Sequence, residues 1–247
     1  MSQCLSKLDG HWGTPPVSLE AQLREETKIF AQIWLLVAKE CSEPKIARPL
    51  PSTTFDYHWL FKNKTDVKFY EIKRGDATPE CTTRLDRALL TWETCLISTY
   101  VIFKRVKQHL TSLPEVRNVE WVGVVPNPRI VIAREGSYPN HEVLSEHDCI
   151  MITAVDGSKY VLDVTAWQFG YGDYFFSWEM YKEEYVVEGR PVQFRVPDQE
   201  FKFVDNQYPE SGANKITQEF LHRKQDWVTY ATDAELKEAA GNISLSF

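Results

Sequence analysis

The order of its segments predicts an α+β fold for this chain, with a long helix packed on an antiparallel sheet. Three observations carry that expectation. An amphipathic helix opens the sequence after a polar tail. A second, longer apolar face follows it. The second half then turns to short β-rich runs separated by turn residues.

Residues 1–17 are polar, end in Pro15-Pro16, and read as a tail or strap. Ser18 suits a helix N-cap. Leu19, Leu23, Phe30, Ile33, Trp34 and Val37 recur at helical spacing, which predicts a helix over 19–40 with one buried stripe. Pro44, Pro49 and Pro51 make 42–54 a loop, Phe55–Phe61 is a short aromatic segment, and Val67–Ile72 alternates like a strand. Thr78 then reads as an N-cap with Pro79 in the first helical position. Leu85, Ala88, Leu89, Trp92, Leu96, Phe103 and Leu110 extend one apolar face to about His109. On that reading Cys81 lies in the first turn of a long helix, where the helix dipole favours a thiolate. Cys95 falls mid-helix, where a cysteine is ordinarily a small core residue. Glu120–Val125 and Arg129–Ala133 read as strands, Glu184–Val187 and Val192–Val196 as a hairpin, and Lys215–Trp227 and Asp233–Ala240 as outer helices. No repeat or low-complexity linker divides 18–247, so one domain is expected over 1–247.

The stretch Glu146–Tyr171 holds the most specific pattern. Cys149–Val155 and Lys159–Thr165 flank Asp156-Gly157, a strong hairpin signal. His147 opens the first strand and Asp163 sits in the second, where a bare carboxylate needs a partner. Register decides whether they meet. A two-residue turn puts His147 opposite Ala166 and points Asp163 to the other face. A three-residue loop or a bulge puts His147 opposite Thr165, with Asp163 its diagonal neighbour about 7–8 Å away at the backbone. The second register is expected. A carboxylate that fixes an imidazole, which in turn serves a nucleophile, is a recurrent enzymatic arrangement. A solvated strand-end histidine and an edge aspartate are the bland alternative.

His147, an apolar strand, a short turn, and then Tyr160-Val-Leu-Asp-Val-Thr165 resembles the His/Asp half of the transglutaminase-like and arylamine-acetyltransferase-like branch of the papain superfamily. The continuation Val164-Thr-Ala-Trp-Gln-Phe-Gly170 resembles that of uncharacterised fungal members. The match covers about 25 residues in detail and the remainder by element order. The resemblance implies a papain-like fold and a Cys-His-Asp enzyme working through a thioester. Cys81 would be the nucleophile, with Cys95 as its rival, His147 the base and Asp163 the orienting acid. Trp167, Gln168 and Phe169 would border the acyl pocket, or serve as core. The Gly-Asp-Cys context of the family is absent at Cys81, and Glu80 beside it opposes a thiolate. The implied substrate is a small-molecule or peptide acyl compound, with no metal and no cofactor.

Composition narrows the alternatives. A net charge of −7 argues against a nucleic-acid binder, which needs a basic face. Five cysteines, odd in number and without a CxxC pair, and an N-terminus without an apolar signal core favour a reducing, cytoplasmic setting. The longest apolar run, Ile33–Ala38, is too short to span a membrane. His141, Glu142, His147 and Cys149 could hold a metal, but lack a stereotyped spacing. A non-catalytic binding module on the same fold is the third reading. No phosphate-cradling loop and no Gly-x-Ser-x-Gly is present.

Overall fold

The computed structural model describes residues 17–51, 67–76, 78–136, 146–207, 213–241 and 243–245. The architecture is α+β: seven helices surround a five-stranded antiparallel sheet and a smaller three-stranded mixed sheet among the described residues. The segment Phe55–Phe61 and the residues His141 and Glu142 lie outside the described residues.

Helix α1 spans Leu19–Cys41, and Ser18 caps it by accepting the N–H of Ala21. Its buried stripe includes Leu23, Phe30, Ile33, Trp34 and Val37, as the 3.6-residue period requires. Strand β1, Lys45–Leu50, replaces the loop expected from the prolines. It runs antiparallel to β2, Lys68–Arg74, at the edge of its sheet, where Pro49 costs no central ladder bond. On the other side β2 pairs in parallel with β4, Ile130–Arg134. Strand β3, Val116–Val124, which precedes β4 in the chain, belongs to the other sheet.

The long helix expected over 79–109 is two helices. The first, α2, spans Arg84–Thr91 and starts with a capping box in which Thr83 and Asp86 exchange bonds. The second, α3, spans Cys95–Leu110. Between them Trp92 turns extended and Glu93 takes a left-handed φ of 57°. Threonines on both sides divert hydroxyls to the backbone: Thr91 donates to the carbonyl of Arg87, and Thr94 to that of Thr91. Such local bonds compete with helix continuation. The apolar period survives the break, so periodicity alone did not reveal it.

The larger sheet has the order β7-β6-β5-β3-β8, from β5 His147–Ala154, β6 Lys159–Leu162, β7 Phe175–Ser177 and β8 Gln193–Phe194. The expected hairpin at 184–196 does not form. Glu184 and Tyr185 end helix α4, Trp178–Tyr185, Val186 makes a lone bridge to Pro126, and β8 pairs with β3. Helices α5 Pro197–Gln207, α6 Ala213–Tyr230 and α7 Asp233–Ala240 follow.

The sheet has apolar residues on both faces. One face carries Trp121, Ile150, Ile152, Leu162 and Phe175 into a core shared with α1, α3, α6 and α7. The opposite face buries Cys149, Met151, Val161 and Phe176 against Tyr171, Tyr181 and Tyr185. No described helix is long and apolar enough to cross a membrane.

Candidate functional site

The hairpin of β5 and β6 sets the site. Its loop is Val155-Asp156-Gly157, closed by the bond from the Ala154 N–H to the Ser158 carbonyl. Gly157 has φ 91°, which a three-residue loop asks of that position. Met151 therefore pairs with Val161, and Ile150 with Leu162. This is the register in which odd-numbered residues share one face. Cys149, Met151 and Val161 lie on that face, and His147 and Asp163 extend it at the end of the pair.

There His147 Nε2 stands 2.7 Å from Asp163 Oδ2, and both side chains are fully buried. The carboxylate is satisfied on both oxygens. Oδ2 also accepts the Tyr181 hydroxyl at 2.8 Å, while Oδ1 accepts the N–H of Thr165 at 3.1 Å and its hydroxyl at 3.3 Å. Asp163 leaves the ladder at the end of β6, and the chain then coils into a 3-10 turn over Ala166–Phe169. Gly170 ends that turn at φ 77°, and a Cβ there would meet Ile130 Cγ1 at 2.7 Å. Burial by itself would lower the pKa of the imidazole. The charge and hydrogen bond of Asp163, with smaller contributions from Cys95, outweigh it and raise His147 to about 10.

The three residues expected to line an acyl pocket divide. Gln168 reaches both parts of the site: its Oε1 accepts the N–H of Glu93 at 3.1 Å, and its Nε2 lies 3.4 Å from His147 Nδ1. Phe169 meets the His147 ring edge to face at 4.7 Å between centroids. Trp167 is core, buried beneath the guanidinium of Arg87 at 5.5 Å.

Cys81 is not at a helix start. It lies in a bend before α2 with a left-handed φ of 65°, and the charged groups acting on it are Arg87, Asp86 and Lys39. Burial, partly offset by Arg87, pushes its thiol pKa up. Glu80, next to Cys81 in the sequence, pairs outward with Lys39 at 2.8 Å. The position argued for Cys81 belongs to Cys95. It is the first residue of α3, it is half-buried, and it is among the groups that raise the His147 pKa, after Asp163. The break at Trp92–Thr94 creates that helix start. Thr94 precedes it without capping the helix, because its hydroxyl goes to Thr91. The first-turn N–H groups of α3 thus lack a cap from Thr94.

Cys149, on the same face, is fully buried. Burial first, then the charges of Asp163 and Asp148, raise its thiol well above the ordinary range. Asp148 belongs to the other face, where it accepts bonds from Trp121 Nε1 at 2.9 Å and Arg195 Nε at 3.1 Å. Among the described residues no three His, Cys, Asp or Glu side chains form a metal-binding group.

The sequence pattern signalled His147 and Asp163. Thr165, two residues past Asp163, was within reach of the same argument, because a short hydroxyl side chain beside a carboxylate can bond it locally. Tyr181 and Glu93 left no local signal, since their contacts to the site span 18 and 75 positions. Comparison of the chain with protein-family models, with curated proteins and with solved structures finds no match.

Proposed function

We propose that the chain is a thiol enzyme acting on acyl groups, with Cys95 rather than Cys81 as the nucleophile, His147 as the base and Asp163 as the residue that orients it. One observation carries the reading. The imidazole is held by a buried, fully bonded carboxylate on one nitrogen, while a half-buried cysteine at a helix start acts on the ring. A helix start and a nearby imidazole are the features that make a cysteine nucleophilic. It is also the arrangement implied by the resemblance to the transglutaminase-like branch, with the cysteine moved to the second helix.

In the proposed cycle the Cys95 proton already rests on His147 Nδ1, in keeping with a ring that Asp163 holds in its charged form, and the sulfur attacks the acyl carbon. The carbonyl oxygen becomes an oxyanion, and the uncapped N–H groups at the start of α3 supply donors for it. The carbon–leaving-group bond then breaks, and Nδ1 returns the proton to the departing atom. A thioester remains. Water or another acceptor gives a proton to Nδ1, attacks the thioester, and releases the Cys95 sulfur with that proton still on Nδ1. Throughout, Nε2–H stays bonded to Asp163, which holds the tautomer and the positive charge of the ring. The acceptor alone separates hydrolysis from acyl transfer or amide formation.

Limited alkylation with iodoacetamide at neutral pH, read by peptide mapping, tests the assignment. Cys95 should react first, well ahead of Cys81, with Cys149 silent. Preferential labelling of Cys81 would reverse the assignment. Equal, slow labelling at all three would leave a binding module on this fold.

A further inference from the structure

A cavity of about 780 Å³ opens beside the start of α3, bordered there by Glu93, Thr94 and Ile97, while Cys95 and His147 are not among its lining residues. Its other walls come from the end of α1, from β1, β2, α2, β4 and α6, so seven elements border it. The volume lies in the range of small-molecule sites. Its lining joins apolar side chains, among them Trp34, Leu90 and Phe220, to a set of charges.

Those charges are not equivalent. Glu93 is paired with Arg134 at 2.9 Å, and Glu40 is paired with Lys224. Glu43 and Glu135 are exposed, as are the cations Lys73 and Arg74. Lys45 alone among the charged wall residues is half-buried. Its Nζ lies 5.5 Å from the centroid of Trp92, donates to the Leu89 carbonyl at 3.3 Å, and has no carboxylate within ion-pair distance among the described residues. Burial lowers its pKa, with the charges of Glu93 and Glu43 working against that. Arg134 lies 5.2 Å from the same Trp92 ring, so a ligand cation would find that aromatic surface already engaged.

We propose that this cavity binds the acyl substrate, and that the substrate is an apolar or aromatic compound carrying an anionic group, which Lys45 receives against Trp92. The apolar wall takes the body of the molecule, and Thr94, next to Cys95 in the chain, borders the same space. A half-buried amine without a carboxylate partner gains more from a ligand anion than an exposed lysine does, because the surroundings screen the attraction less. This proposal rests on the thiol-enzyme reading for its link to Cys95, and on the cavity alone for its ligand class.

The test uses two fluorescent probes that share their rings: anilinonaphthalenesulfonate, which is anionic, and phenylnaphthylamine, which is neutral. Each is titrated into the full chain, Lys45→Met and Lys45→Arg, with and without iodoacetamide. The intact chain should bind the anionic probe the more tightly. Lys45→Met should weaken that binding by about ten-fold, the loss of one charge-assisted contact. It should change binding of the neutral probe by less than about two-fold, and Lys45→Arg should restore most of the loss. Unchanged neutral-probe binding also shows that the cavity remains folded. Bound anionic probe should slow alkylation of Cys95. If Lys45→Met leaves anionic-probe binding unaltered, or the intact chain binds both probes alike, the ligand class is wrong whatever the thiol does. If the probe binds through Lys45 but leaves alkylation of Cys95 unslowed, the cavity does not serve Cys95 and the proposal is overturned. A Cys95 that reacts no faster than Cys81 without probe instead contradicts the thiol reading, separately from either result.

Discussion

The imidazole of His147 and the carboxylate of Asp163 meet at 2.7 Å with neither side chain reaching solvent. A charged pair so placed is costly to form and costly to break, because removing one partner strands the other away from water. Asp163→Ala should therefore destabilise the chain by about 3–5 kcal/mol, measured by urea unfolding at neutral pH. Asp163→Asn, which keeps the shape and a hydrogen-bonding oxygen, should cost less. A loss under about 1 kcal/mol for the alanine variant would mean that the pair is not buried as described.

The same pair gives stability a pH dependence. The folded-state pKa of His147, about 10, lies above the ordinary histidine value of about 6.5. The folded state therefore holds this proton more tightly than the unfolded chain does. The resulting stabilisation is fully present below about pH 6.5 and is lost as pH rises toward 10. Unfolding free energy should thus fall across that alkaline window in the intact chain. Asp163→Asn should flatten that part of the profile. An intact chain and variant with parallel profiles between those limits would contradict the pairing.

Tyr181 donates to Asp163 Oδ2 at 2.8 Å from a ring packed among Phe176 and Tyr185. Burial, then the charge of Asp163, raises the Tyr181 pKa well above its usual value, so the hydroxyl remains a donor. Tyr181→Phe keeps the packing and removes the bond to a charged acceptor, an expected loss of about 1.5–3 kcal/mol in denaturant unfolding. Near-UV circular dichroism should show the aromatic cluster retained. A variant as stable as the intact chain would mean that Asp163 does not need this donor.

How much of this was legible depended on the range of each interaction. The turn at Asp156-Gly157 and the alternation on either side of it are local. They were enough to expect a register in which His147 and Asp163 share a face, and the loop Val155–Gly157 produces that register. Strand β1 was hidden by prolines that an edge position tolerates. The break between α2 and α3 was hidden because both helices keep one apolar face. Thr91 and Thr94, which divert hydroxyls to the backbone there, were the available signal. Missing that break moved the helix start from Cys95 to Cys81. Gln168 reads as a pocket residue from its place beside Asp163, and its bond to the Glu93 amide, 75 positions away, leaves no local signal.

Gln168 joins the helix break to the imidazole, so under the proposed function it would act through His147 as a positioning residue. Gln168→Ala should slow alkylation of Cys95 by roughly five- to ten-fold, the equivalent of about 1 kcal/mol for one neutral hydrogen bond. It should also change the pH profile of that reaction, since Nε2 lies 3.4 Å from His147 Nδ1. Gln168→Glu places an acceptor beside the same nitrogen and should move the profile toward higher pH. A slower rate with the pH profile unmoved in both variants would assign Gln168 to structure alone.

The most direct measurement is the mass of the protein after brief exposure to an activated ester such as 4-nitrophenyl acetate. The account predicts a single acetyl adduct that maps to Cys95 and is discharged with time. The adduct should be absent in Cys95→Ala and undiminished in Cys81→Ala. In His147→Ala it should form at least about 100-fold more slowly, the lower range for removal of a general base. An adduct on Cys81, or acylation of Cys95 that proceeds equally fast without His147, would contradict it.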